Sequence, residues 1–217
     1  ELRKRGISKP VASIITQTLV EADDPAFNDP NKPVGSFYSE EDAKRLMEET
    51  GEKYVEDAGR GWRWVVASPQ PKEIVEAEAI TSLVNAGTIV VSTGGGGIPV
   101  VKGDGGKLEG VPAVIDKDRS AAIMADQVGA DHLIILTAVD KVAINFNKPD
   151  QQDLDEISVE EAKKHMADGQ FAPGSMLPKV EACVSYVEGG AGRTAVITSL
   201  EHAGDALSGA AGTSIKS

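Results

Sequence analysis

The chain has 217 residues, 41% of them apolar and 26% charged, with a formal net charge of −12. Length and composition fit one substantial globular domain, or one domain with a small appendage. The acidic balance argues against nucleic acid or an anionic membrane as the main partner, although a few aimed lysines can still hold a phosphate. No apolar run approaches the roughly 18 residues needed to span a bilayer. The single cysteine, Cys183, cannot close an internal disulfide, so a reducing compartment is the expectation.

In chain order, ELRKRG reads as a helix end, with basic residues before a glycine stop at Gly6; this points to sequence upstream of Glu1. Val11–Val20 is β-branched and predicts one strand. The proline-interrupted stretch EADDPAFNDPNKPVG that follows suits neither a core strand nor a core helix. Ser39 then caps a helix that Gly51 closes. Lys53–Asp57 and Trp62–Ala67, on either side of AGRG, predict a hairpin. Residues 21–67 therefore read as a small excursion from a main domain made of 1–20 and 68–217.

From there the pattern alternates. Lys72–Ala86 predicts a helix with Ile74, Val75, Ile80, Leu83 and Val84 on one stripe. Thr88–Thr93 predicts a buried strand running into Gly94–Gly97. Gly103–Gly110 reads as a loop or hairpin tip, and Ala113–Ile115 as a short strand before a helix that follows Asp118. Leu133–Thr137 predicts a buried strand and Val142–Phe146 an edge strand. Ser158 and Glu161 form a capping box for a helix to Ala167. A helix after Lys179 ends at Gly189 and Gly190. Strand Thr194–Ser199, short helix Leu200–Leu207 and strand Gly212–Ile215 complete the chain. Apolar strands alternating with helices predict an α/β fold: a mainly parallel central sheet covered on both faces, a three-layer sandwich.

In such sheets ligands bind beyond the carboxyl ends of the strands. The loops in that position are Gly94–Gly97, Asp116–Asp118, Thr137–Lys141 and Pro173–Lys179. Four glycines after a strand let backbone N–H groups approach a phosphate or carboxylate, although the string is neither GxxxxGK[ST] nor a clean GxGxxG. Lys117 and Lys179 each stand at the entrance of a helix, where dipole and N–H groups also favour an anion. One such lysine is ordinarily solvated surface; two brought together by the fold would clamp a phosphoryl group. Asp116 and Asp118 flank Lys117. Either could hold lysines in place or help ligate magnesium, and Asp118 also suits a helix N-cap. Asp140 suits a nucleotide contact or a turn. By composition Lys32 is a surface lysine. His132, His165 and His202 lack metal-ligand spacing, Trp62 and Trp64 suit packing, and Cys183 suits buried filler.

Taken together, the strings TQTLVEADDPAFNDPNKPVGSFY, VVASPQPKEIVE, STGGGGIPV, AVIDKD, LTAVDKVAINF and FAPGSMLPKVEA resemble carbamate kinases of the amino acid kinase family, across essentially the whole chain. Acetylglutamate and uridylate kinases are similar in fold but not in these strings. The resemblance implies the amino acid kinase fold with a small protruding subdomain over residues 21–67. It implies a cytoplasmic homodimer that transfers phosphoryl groups between ATP and carbamate, with carbamoyl phosphate and ADP as the other pair and Mg²⁺ on the nucleotide. In such enzymes the working direction is often ATP synthesis at the end of arginine fermentation. Carried onto this chain, Lys117 and Lys179 neutralise the transferring group, Asp118 orients them and Lys32 reaches over the substrate. Gly94, Gly95, Gly96 and Gly97 line the carbamate and phosphate site. Asp116, Thr137, Asp140, Gly174, Ser175 and Met176 fall to the nucleotide. The resemblance also implies an upstream strand and glycine-rich turn, typically Gly-Gly-Asn-Ala, before the point where this chain starts. The motif often reading TDVDGV is TAVDKV here, with Ala138 and Lys141 near the nucleotide.

Overall fold

The computed structural model describes residues 1–57 and 59–217. After a 3₁₀ turn at Leu2–Arg5, stopped by Gly6 in the left-handed region, come β1 (Val11–Ser13) and β2 (Gln17–Leu19). The excursion holds β3 (Lys32–Tyr38), α1 (Glu40–Thr50), β4 (Tyr54–Glu56) and β5 (Trp62–Val66). The chain returns through β6 (Glu73–Ile74), α2 (Ala77–Asn85), β7 (Ile89–Val91), β8 (Ile98–Lys102), β9 (Leu108–Gly110) and α3 (Lys117–Gln127). The remainder is β10 (His132–Thr137), β11 (Ala143–Ile144), β12 (Gln152–Asp153), β13 (Glu156–Ser158), α4 (Val159–Ala167), α5 (Met176–Glu188), β14 (Thr194–Ser199), α6 (Ala203–Ala206) and β15 (Thr213–Lys216).

The segment expected as one strand, Val11–Val20, is two. β1 pairs in parallel with β7, whereas β2 pairs in parallel with β8 and antiparallel with β6, in a different sheet. β-branched propensity marks extended chain but carries no information about which partner it meets. The same long-range pairing shortens the predicted helix Lys72–Ala86. Its first residues are drawn into β6 against Thr18 and Leu19, and Val75 and Val84 are left exposed. Ile98–Lys102, directly after the glycine loop, is β8, held between β2 and β9. β7 is not buried: Val91 is 57% exposed. Ala113–Ile115 forms no strand; it is an extended connection whose Val114 N–H donates to the Ala67 carbonyl.

In the excursion β3, β5 and β4 form an antiparallel sheet in that order, so the expected hairpin gains a third strand at Lys32–Tyr38. The expected tip AGRG begins at Ala58, outside the described residues. α1 carries the Ser39 cap and ends at Gly51. Asp24 ties the two ends of the excursion together, its Oδ1 accepting from Ala26 N–H and its Oδ2 from Gln70 N–H.

The larger core lies in the second half. β10 pairs in parallel with β14, and β15 bridges β14 and β13. Ile135, Ile197 and Ile215 pack with Val180, Cys183 and Val187 of α5 and Ala162 of α4. A smaller cluster joins Ile74, Ala77, Ile80 and Met124. α3 belongs to both: Ala122 and Ala125 face the larger cluster and Met124 the smaller one. Each aliphatic side chain fully buried in this way contributes roughly 1.5–3 kcal/mol. That packing fixes the axis of α3, and with it the position of its first turn. Among the described residues, no helix is long and apolar enough to cross a membrane.

Candidate active site

The first turn of α3 begins at Lys117, and its cap is Asp116 rather than Asp118. Asp116 Oδ1 accepts the N–H of Asp118 at 2.9 Å and of Arg119 at 3.4 Å. The N–H groups expected to meet a phosphate here already donate to a carboxylate, so the anion at this helix end belongs to the protein itself. Asp116 Oδ2 accepts from Lys32 Nζ at 2.6 Å, a contact between β3 and α3. Burial alone would raise the pKa of Asp116. The Lys32 ammonium and the two capping N–H groups outweigh it and hold the carboxyl below its ordinary value.

Asp118, capped in turn by its neighbour, is buried and faces two ammonium groups. Its Oδ2 lies 2.7 Å from Lys179 Nζ and 3.5 Å from Lys117 Nζ. The side chains of Asp118 and Lys179 are 8% and 11% exposed, whereas Lys117 is 60% exposed. The fold therefore brings the two sequence-predicted lysines to one carboxylate oxygen. α5 supplies Lys179 by starting at Met176, four residues before the apolar run that opens at Val180. No side chain caps the start of α5 at Ser175.

The glycine loop meets the same helix. The Gly96 carbonyl accepts from Ser120 Oγ of α3 at 2.7 Å and from Thr18 Oγ1 of β2 at 2.8 Å. At Gly96 φ is +122°, and a Cβ there would stand 2.4 Å from the Ile115 carbonyl oxygen; only glycine fits. At Gly97 a Cβ would meet Thr18 Oγ1 at 2.2 Å. Gly94 and Gly95 face open space. With Gly97, Thr16 and Ile115 they line a cavity of about 450 Å³.

Two larger cavities flank the lysine cluster. One, of about 500 Å³, is lined by Thr137, Lys141, Phe146, Ser175, Met176 and Lys179. The other, of about 710 Å³, lies between the excursion and α3; Lys32, Arg60, Arg63, Asp116, Arg119 and Gly174 are among its walls. The structure thus parts the residues predicted for the nucleotide. Thr137, Ser175 and Met176 share the first cavity, whereas Asp116 and Gly174 face the second. Asp140 lines neither; its side chain is 68% exposed, with Oδ1 3.8 Å from His202 Nε2.

Sequence reasoning missed Thr18, Ser120 and Arg119. Thr16 and Thr18 sit two apart in extended chain, a spacing that puts both hydroxyls on one face. Thr16 Oγ1 accepts from Thr93 N–H at 3.1 Å, so both threonines hold the glycine loop. Arg119 bonds Glu181 Oε2 of α5 at 2.7 Å and so links the two site helices.

Comparison with known proteins identifies the family. The family model described as the amino acid kinase family matches residues 9–199. The carbamate kinase of Clostridium perfringens is 57% identical over 215 residues, which cover 99% of this chain and 68% of that protein. Among solved structures, Giardia lamblia carbamate kinase bound to citric acid superposes with a TM-score of 0.91 at 42% identity, covering 99% of this chain and 67% of that one. The same enzyme bound to AMP-PNP gives 0.87 at 44% identity, with 99% and 68% covered. A model match over most of the chain, together with relatives more than half identical, places it: the chain belongs to the amino acid kinase family and, within it, to the carbamate kinases.

Proposed function

We propose that the chain performs reversible phosphoryl transfer between carbamoyl phosphate and ADP, yielding carbamate and ATP. The observation that carries this reading is the convergence of Lys117 and Lys179 on Asp118 Oδ2, between the glycine loop and the 500 Å³ cavity. A phosphoryl group in flight spreads negative charge over its three equatorial oxygens, so catalysis asks for positioning and fixed positive charge rather than covalent chemistry. Two ammonium groups held by one carboxylate supply that charge in advance, with little reorganisation at the moment of reaction.

In this reading carbamoyl phosphate lies against Gly94–Gly97, where the two open glycines leave backbone within reach of the anion. Lys32 reaches over it from the excursion, which acts as a protruding subdomain over residues 21–67. ADP occupies the cavity of Thr137, Ser175 and Met176, its phosphates toward the uncapped start of α5. An oxygen of its terminal phosphate attacks phosphorus. The new P–O bond forms as the P–O bond to carbamate breaks, and no protein group need give or take a proton. Lys117 and Lys179 neutralise the passing group, and Asp118 keeps both aimed. When bound with the nucleotide, magnesium would supply charge neutralisation on its phosphates. Among the described residues no three His, Cys, Asp or Glu side chains gather as a metal cage, and magnesium commonly binds through phosphate oxygens and water. Work toward ATP synthesis in arginine fermentation, in a cytoplasmic homodimer, completes the reading.

The test is a coupled assay of ATP formation from carbamoyl phosphate and ADP with magnesium. A robust rate is expected. ADP binding without turnover, or phosphorylation of acetylglutamate in place of carbamate, would overturn it.

A further inference from the structure

We infer that Asp116 is a positioning residue of the phosphoryl-transfer site, its two carboxylate oxygens tying the excursion's Lys32 to the helix start that carries Lys117 and Asp118. The inference rests on the reaction proposed above and departs from the nucleotide contact expected of Asp116. The two oxygens have separate tasks. Oδ1 accepts the N–H of Asp118 and Arg119, fixing the first turn of α3. Oδ2 accepts from Lys32 Nζ at 2.6 Å, across 84 residues of chain. Asp116 is 5% exposed, so its carboxylate has little water to fall back on, and its capping bonds hold it in place.

Lys32 by itself has no such fixity. It starts β3 at the edge of an antiparallel sheet, and its side chain is 32% exposed. A lysine carries four rotatable side-chain bonds, and holding it at one point requires a fixed partner. The partner it finds is two residues before Asp118, the residue that gathers the other two lysines. One helix start therefore sets all three ammonium groups relative to each other: Lys32 through Asp116, Lys117 and Lys179 through Asp118. Arg60, Arg63 and Arg119 also line the cavity, but Arg60 and Arg63 share Asp57 and Arg119 pairs with Glu181, and none pairs with Asp116 among the described residues.

The experiment is a double-mutant cycle of Asp116→Asn and Lys32→Met in the native-length protein, read as kcat and KM for carbamoyl phosphate. Asparagine keeps a carbonyl oxygen for the cap and loses the charge that holds Lys32. Asp116→Asn is expected to lower the melting temperature no more than Lys32→Met does, because Lys32 is a third exposed and water can take over its charge, and to lower kcat/KM by 10–100-fold. In a Lys32→Met background the same change should lower it less than 3-fold. An equal loss in both backgrounds means that Asp116 acts only through α3 and overturns the inference. A carboxyl NMR titration keeps it falsifiable should the asparagine variant not fold: the pKa of Asp116 must rise in Lys32→Met, and an unchanged midpoint shows that the pair does not exist in solution. Failure of the reaction itself reads differently, because wild type would then give no ATP while the titration still reports the pair.

Discussion

The Lys179–Asp118 and Lys32–Asp116 pairs meet α3 two residues apart, yet they are built differently. Lys179 comes from α5, whose Val180 and Cys183 are wholly buried in the larger core, and both members of its pair are nearly dry. Lys32 comes from a sheet edge outside that core, and a third of its side chain meets water. The inner pair is part of the fold. The outer pair is a contact between the first turn of α3 and a lysine of a different sheet, β3–β5–β4. The difference teaches which half of the site can be altered without altering the protein, and each substitution below tests that division.

Lys179→Ala has the largest expected effect. It leaves Asp118 buried, with only the exposed Lys117 3.5 Å away. Stranding one member of a buried pair costs roughly 3–5 kcal/mol. Loss of one preorganised cation should lower turnover on the order of 10³-fold. Urea unfolding and kcat together check it. Lys32→Met, by contrast, should cost between the ~1 kcal/mol of an exposed pair and the inner value. Equal losses for the two lysines would erase the distinction.

Gly96→Ala comes next, because the glycine loop is fastened to the same inner half. A Cβ at 2.4 Å from the Ile115 carbonyl, in a left-handed backbone, should destabilise by roughly 2–4 kcal/mol. Gly95→Ala, in open space, should stay within about 0.5 kcal/mol. Thermal unfolding of the two variants distinguishes them. Similar melting points would mean that the loop is not pinned by Thr18 and Ser120.

This division was only half legible in the sequence. Local signals were sufficient where one segment determines its own structure. The Ser158–Glu161 capping box is present as read, and β10, α4 and β14 lie where their apolar patterns place them. The motif residues Lys117, Asp118 and Lys179 also come together, with both ammonium groups within 3.5 Å of Asp118 Oδ2. What stayed hidden depends on partners far away in the chain. The break between β1 and β2 and the identity of β8 follow from sheet pairing, which no window of residues contains. Pro99 and the glycines before it argue locally for a loop; the flanking strands β2 and β9 override them. The Asp116 cap is two residues from the one expected because ψ of Asp116 is extended and the helix already begins at Lys117. Cys183 was readable as filler, and burial accordingly pushes its thiol pKa well above the ordinary value.

The outer pair should also reveal itself through pH. The folded pKa of Asp116 is depressed, so its contribution is present above the unfolded carboxylate value of about 3.9 and is lost as pH falls through the folded one. Removing Lys32 raises that folded pKa. The stability gap between wild type and Lys32→Met should therefore be full near neutrality and close in acid, where Asp116 is protonated in both. A gap that is constant with pH would assign the loss to packing of the lysine stem instead of its charge.

Lys117→Ala should disturb the fold least. Lys117 shares Asp118 with Lys179, but at 3.5 Å and 60% exposed, and Asp118 keeps its closer partner when Lys117 is gone. The backbone of the first turn is set by Asp116, whose capping bonds go to residues 118 and 119 and bypass the Lys117 side chain. Alanine is also a good helix former at this position. Stability should thus stay within about 0.5 kcal/mol, while turnover falls on the order of 10²-fold because a cation aimed at the transferring group is missing. Such a split, with activity lost and the melting point kept, separates a lysine placed for chemistry from one placed for structure. A melting point lowered as far as in Lys179→Ala would place Lys117 in the inner half. Unchanged turnover would remove it from the site and leave Lys179 and Lys32 as the pair that neutralises the phosphoryl group.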